Sequence, residues 1–236
     1  MELLKAALIE RIKRTPTVES FRFLPEKKVD FVAGQFLQVI FDEENRDNKE
    51  LNKYLSFSSS PEQDYIEVTK RLSDSLFSQR LKELKPRDQV LLKLPLGNCV
   101  FEESYNKICF LIGGIGITPV ISILEHIVDK KLATDAIVLY SNKTEEEIAF
   151  KNELDHWQEA NNKIKVYYTV SDCPPKDNTC IFGRIDKELL IEKACDYRER
   201  VFFIFGPPKM VEAMNALSQE AGCGKENIKI ENFIGY

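Results

Sequence analysis

The first hundred residues alternate short apolar segments with polar or proline-bearing breaks. Ala6–Ile12, Ser20–Leu24, Phe36–Phe41, Leu55–Ser59, Tyr65–Lys70 and Gln89–Leu94 each have the length of one strand. Phe36–Phe41 and Tyr65–Val68 partly alternate in and out, as half-buried strands do. One stretch has helical spacing instead: Leu76, Phe77, Leu81 and Leu84, in a segment running from Ser75 to Leu84. Six short strands without repeated helices predict a small antiparallel barrel.

The rhythm changes after residue 105. Apolar runs Ile108–Ile112, Ala136–Tyr140, Ile164–Val170, Val201–Phe205 and Ile228–Ile230 alternate with helical stretches from Pro119, over Glu145–Ala160, Asp186–Lys193 and Pro208–Ala221. Strands alternating with helices predict a doubly wound parallel sheet. The fold class is therefore β followed by α/β, with residues 1–103 as the barrel and 104–236 as the α/β domain.

Composition narrows the chemistry. With 43% apolar and 30% charged residues the chain has the make-up of a soluble globular protein. A net charge of −5 argues against nucleic-acid binding. The apolar run from Ile108 to Leu124 contains Gly, Thr, Pro and Ser, and falls short of the roughly 20 apolar residues of a membrane span. Lys5 interrupts the opening apolar stretch, so no signal peptide is expected. The six cysteines make no CxxC pair, Cys99 and Cys109 read as buried strand residues, and a cytoplasmic location is the expectation. His126 and His156 lie in helical patterns, read as structural or solvent-facing, so no metal site is expected.

Three places carry candidate chemistry. Gly113-Gly114-Ile115-Gly116-Ile117-Thr118-Pro119 follows a buried strand and opens a helix. Missing Cβ atoms let a ligand approach the backbone, and a helix start favours phosphate. The alternative is a tight strand–helix turn whose glycines serve packing. Lys53-Tyr54-Leu55-Ser56-Phe57-Ser58-Ser59-Ser60 offers a cation and four hydroxyls, or else an ordinary strand entering a serine-rich turn. The serines of Ser75-Leu76-Phe77-Ser78 suit a helix cap, at a helix end that also suits a phosphate.

In this order the segments resemble the ferredoxin–NADP reductase-like flavoproteins. Asp30–Phe36 is similar to the family's D-F-x-P-G-Q-F/Y, Lys53–Ser56 to R-x-Y/F-S, and Ser75–Ser78 to its G-x-x-S phosphate turn. Gly113–Pro119 is similar to G-G-x-G-x-T-P, and Phe205–Met210 to C-G-P-x-x-M. The resemblance implies a barrel holding FAD and an α/β domain holding NAD(P)H, with hydride passing from nicotinamide to flavin. It implies FAD contacts at Lys53, Tyr54, Leu55, Ser56, Thr69, Lys70, Arg71, Phe77 and Ser78. Nucleotide contacts are implied at Gly113, Gly114, Gly116, Thr118, Pro119, Asn142, Gly206, Pro207 and Met210. Ser56 near the flavin, Phe205 beside the nicotinamide and Tyr236 as a cover over the ring would shape the reaction.

Lys53, Leu55, Ser75 and Phe205 stand where the family has arginine, an aromatic residue, glycine and cysteine. These departures predict slowed reduction. Glu145-Glu146-Glu147, following Lys143, tilts the expectation to NADH. The acceptor implied is separate: a ferredoxin, a flavodoxin, free flavin or a partner subunit. The competing reading is a cofactor-holding or interaction subunit with little turnover.

Overall fold

The computed structural model describes residues 2–176 and 178–233. Two compact units emerge, one of residues 1–101 with 118–129 and one of residues 102–117 with 130–236.

The first unit is built on six strands: β1 (Glu2–Lys13), β2 (Val18–Pro25), β3 (Phe36–Ile40), β4 (Asn52–Ser56), β5 (Ile66–Arg71) and β6 (Gln89–Leu96). They lie in the order β4-β3-β6-β1-β2-β5, every pair antiparallel. An antiparallel bridge between Phe57 and Val68 brings the two ends of the sheet together, so the barrel is nearly closed. Period-2 alternation points Leu4, Ala6 and Leu8 of β1, Phe21 and Phe23 of β2, and Ile66 and Val68 of β5 into one core. Helix α1 (Leu76–Glu83) plugs that core with Phe77 and Leu81. Helix α2 (Thr118–Asp129) belongs to this unit as well.

The second unit is a parallel sheet of β7 (Lys107–Gly113), β8 (Asp135–Asn142), β9 (Ile164–Val170), β10 (Cys180–Phe182), β11 (Val201–Gly206) and β12 (Ile228–Asn232). Helices α3 (Lys151–Ala160), α4 (Lys187–Lys193) and α5 (Pro208–Glu220) lie in its connections. The strand order is β10-β9-β8-β7-β11-β12. The chain builds outward from β7 in one direction, then returns to build outward from β11 in the other. The neighbours β7 and β11 thus form the topological switch point, where the loops leaving the two strands diverge and open a crevice.

Four details differ from the sequence expectation. Strand β4 begins at Asn52, whose side-chain oxygen accepts from the N–H groups of Phe41 and Asp42 and ties the strand to β3. The helix expected from Glu145 begins at Lys151, because Phe150 is buried in a left-handed conformation (φ 60°) that no helix can pass through. The three-residue strand β10 is too short to stand out among polar neighbours. Cys109 is buried in β7, but Cys99 lies outside any strand and is half-buried. Both histidines match expectation. His126 is buried, with Nδ1 2.7 Å from a Glu62 carboxylate oxygen, and His156 is exposed.

Candidate functional site

At the switch point the β7 and β11 backbones run side by side, Ile112 opposite Phe205. The three glycines that follow do different jobs. A Cβ on Gly116 would land on the Phe205 carbonyl oxygen, 2.7 Å from the Phe205 carbonyl carbon and 2.9 Å from the Gly206 nitrogen. A Cβ on Gly113 would land on the Met210 sulfur. Gly116 is therefore required by packing against backbone, while the space beside Gly113 is taken by the end of the Met210 side chain. Gly114 alone faces open space, with φ +53°, a left-handed conformation suited to glycine. Of the two readings of this turn, packing accounts for Gly113 and Gly116, and Gly114 retains the open approach.

Beyond the turn, Thr118 and Pro119 form the buried first two positions of α2. Gly206 ends β11, and Pro207 follows it as the residue that caps α5. The Phe205 ring is fully buried, with ring centroids 5.9 Å from Phe203 and 6.5 Å from Phe233. At the end of β8, Asn142 is 5% exposed, and neither its amide nitrogen nor its amide oxygen has a hydrogen-bond partner among the described residues. An orphaned carboxamide beside an open glycine turn suits a ligand carrying both donors and acceptors. Next along, Lys176 bonds Glu145 through its N–H (2.8 Å) and Glu146 through Nζ (2.6 Å). The Lys176 hydrogen bond holds the Glu146 carboxyl down at about 2.

On the barrel, the hydroxyl-rich run resolves into two classes. Ser59 accepts from the Glu67 N–H at 3.0 Å, and Ser60 donates to Glu62 at 2.6 Å. Ser58 joins a closed ring. Arg14 Nε donates to Ser20 (2.8 Å), Ser20 meets Thr69 (2.7 Å), Thr69 meets Ser58 (2.7 Å), Ser58 donates to Glu67 (3.2 Å), and Glu67 accepts from Arg14 (3.1 Å). Because Arg14 only donates and Glu67 only accepts, every hydroxyl in the ring must point the same way round. Of the four serines, that leaves Ser56, 7% exposed, as the one whose hydroxyl is not committed among the described residues.

Tyr54 is 59% exposed, set edge-on against Phe36, while Leu55 packs toward the barrel core. The aromatic surface available on this strand is thus Tyr54's. Lys70 is only 7% exposed, and burial together with the nearby Lys53 holds its ammonium below the ordinary lysine range. Two crowded cations of this kind are relieved by a dianion. Arg71 bonds the Thr17 hydroxyl at 3.0 Å. Ser75 caps α1 by accepting from the Ser78 N–H, and the remaining first-turn N–H groups have no intrahelical partner. Phe77 lies in the core, so only its backbone faces that end of the helix. These groups fit the pyrophosphate and ring of FAD, as the switch-point turn fits a dinucleotide. Tyr236 lies outside the described residues.

Three carboxylates carry no motif and escaped sequence reading. Glu67 sits in an alternating strand where a polar residue suggests solvent, yet it is 2% exposed between Arg14 and Arg22. Glu125 accepts from the Ser60 N–H at 2.6 Å, and burial pushes it up to about 7. Glu231, opposite Phe205 in the register, is pushed up to about 7 by burial, and its Oε2 has no partner among the described residues. The only signal for Glu231 in sequence is a charge between the apolar residues of the last strand.

Two family models match successive parts of the chain. An oxidoreductase FAD-binding domain matches residues 5–101, and an oxidoreductase NAD-binding domain matches residues 110–216. The chain belongs to the ferredoxin–NADP reductase-like family. This reductase-like chain is 28% identical to flavohemoprotein A of Dictyostelium discoideum, over 94% of its own length and 58% of the relative's. It is 29% identical to NADH-cytochrome b5 reductase 1 of the same organism, over 74% of its length and 62% of the relative's. It thus spans about six tenths of these curated relatives. The fold matches the flavohem-like FAD/NAD-binding domain of nitric oxide dioxygenase from Vibrio cholerae, with TM-score 0.85, 17% identity and 98% of both chains covered. It also matches a ferredoxin–NADP reductase from Neisseria gonorrhoeae, with TM-score 0.82, 21% identity, and 98% and 99% of the chains covered. Like its family, the chain carries an FAD-binding and an NAD-binding domain. Among the described residues no helix is long and apolar enough to cross a membrane, and no group of three or more metal-ligating side chains occurs.

Proposed function

We propose that this protein is an NADH-dependent flavin oxidoreductase delivering electrons to a separate acceptor. FAD is held by residues 1–103 and the pyridine nucleotide by residues 104–236. The observation that carries the reading is the switch point, where Gly114 leaves an open backbone turn next to the strand bearing the orphaned Asn142 carboxamide.

FAD, once bound, would supply the hydride-accepting and one- or two-electron chemistry, so the chain's own work is binding and orientation. Lys53 and Lys70 supply charge for the pyrophosphate, with the open end of α1 adding backbone donors. Ser56 offers an uncommitted hydroxyl to the ring and Tyr54 an exposed aromatic face. Thr69 supports the strand from within the hydroxyl ring. Gly114 and Asn142 take the nucleotide. Glu145 and Glu146, both bonded to Lys176, set negative charge where a 2′-phosphate would be repelled. The similarity to an NADH-cytochrome b5 reductase supports the same choice. The haem and cytochrome b5 in the relatives' names favour a one-electron haem acceptor over ferredoxin or flavodoxin.

Anaerobic titration of the FAD-loaded protein tests the reading. NADH should bleach the flavin band at least tenfold faster than NADPH, and reoxidation by cytochrome b5 should outpace that by ferredoxin, flavodoxin or free FMN. No bleaching by either nucleotide would sink the proposal. Replacing Ser56 with Ala should slow bleaching about tenfold, equivalent to about 1.4 kcal/mol, without loss of FAD.

A further inference from the structure

The Met210 sulfur occupies the position that a Cβ on Gly113 would take, and it lies 3.1 Å from where a Cβ on Gly206 would be. The two glycines end the adjacent strands of the switch point, and the Gly206 Cβ position is 3.4 Å from the Gly113 nitrogen and oxygen. Met210 reaches this place from the first turn of α5, where its N–H donates to the Pro207 carbonyl at 2.9 Å. One thioether thus fills the space that two missing side chains leave, and it clips the loop after β7 to the loop after β11.

A methionine suits the task because an unbranched chain can reach an irregular gap, and its soft sulfur packs closely on backbone. With its sulfur committed to the two glycines, Met210 has a task other than ligand contact. We propose that Met210 is a positioning residue. It fixes the spacing of the two loops and so sets the affinity of the switch point for a pyridine nucleotide. The inference rests on the reading of that crevice as the nucleotide site.

The atom that matters is the one at the δ position, which gives the test. Met210→Leu keeps a δ atom, with carbon in place of sulfur, whereas Met210→Val and Met210→Ala remove it. In the FAD-loaded protein, calorimetric titration with NAD+, which occupies the same site without reducing the flavin, should give a dissociation constant within about threefold of wild type for Met210→Leu. Met210→Val and Met210→Ala should weaken NADH at least tenfold, raising KM with kcat at saturation kept within twofold and FAD content unchanged. Gly113→Ala alone should weaken NADH as strongly, since its methyl pushes the flexible sulfur out of the place it fills. Combining it with Met210→Ala should recover affinity, because the new methyl takes the vacated space.

Additive losses in the double variant, or NADH affinity unchanged in Met210→Val, would overturn the inference. If Met210→Ala does not fold, the Leu and Val variants still decide it. Should the wild-type protein itself not bind NADH, the functional reading falls and takes the inference with it, whereas wild-type binding with unaffected variants overturns the inference alone.

Discussion

The serine run of the barrel and the glycine turn of the α/β unit look alike as motifs and are held by opposite means. Around Lys53–Ser60 the backbone is fixed by hydrogen bonds. Ser58, Ser59 and Ser60 are spent on Glu67, Thr69 and Glu62, and Ser56 is left over. Around Gly113–Ile117 the backbone is fixed by volume. Gly113 and Gly116 are spent on Met210 and Phe205, and Gly114 is left over. Among the serines of the one and the glycines of the other, most build the cradle and a single one is left available to a ligand. The two should therefore fail differently, one through stranded polar groups and the other through steric conflict.

The largest expected effect breaks the polar half. Replacing Glu67 with Ala leaves Arg14, whose side chain is 9% exposed, without its buried partner and opens the hydroxyl ring. Removing one member of a buried ion pair costs about 3–5 kcal/mol. Urea unfolding should show a loss of that size, and a loss below about 1 kcal/mol would mean that the ring is not a structural unit.

Next comes the steric half. Gly116→Ala forces a methyl onto Phe205 backbone, which cannot swing aside, and overpacking of this sort costs about 1–3 kcal/mol or more. Gly114→Ala meets open space and bears only the left-handed strain, about 1–2 kcal/mol at most. Thermal melts of the two variants should rank Gly116→Ala as the less stable. The reverse ranking would mean that the turn is held by something other than volume.

The smallest effect depends on pH and concerns Glu231. Burial raises its folded-state pKa to about 7, above the ordinary value near 4.5. Between those values the folded protein binds more protons than the unfolded one, so stability falls as pH rises through the window. Glu231→Gln removes the dependence. It should melt with wild type near pH 4.5 and a few degrees, about 5 °C, above it at pH 8. Equal melting points at both pH values would show that the carboxylate is already paired.

Elements with strong periodicity were legible in the sequence because each buries one face. The barrel strands other than β4, α1, α2 and the parallel strands other than β10 stand close to where the pattern puts them. Phe150 shows where pattern reading stops, since a left-handed residue interrupts a run of good helix formers without any composition signal. The two motifs were legible as motifs, but their division of labour was not. Which glycine faces a sulfur, and which serine faces a buried carboxylate, is set by residues about a hundred positions away in one case and ten in the other. Glu67 illustrates the same point. Its alternation is right for a strand with a wet outer face, and Arg14 and Arg22, more than forty residues upstream, make that face dry.

The path of the chain between its two units bears on how the protein can be taken apart. The backbone leaves the barrel unit after residue 101, runs through β7 and the glycine turn, and returns to lay α2 down before leaving again at residue 129. Within the barrel unit, α2 supplies Glu125 to the Ser60 N–H and His126 to Glu62. A gene cut between codons 103 and 104 would thus deliver a barrel stripped of the helix that caps its Ser60–Gln63 turn. The two halves are interleaved, and any module borrowed from this protein must carry the crossing with it.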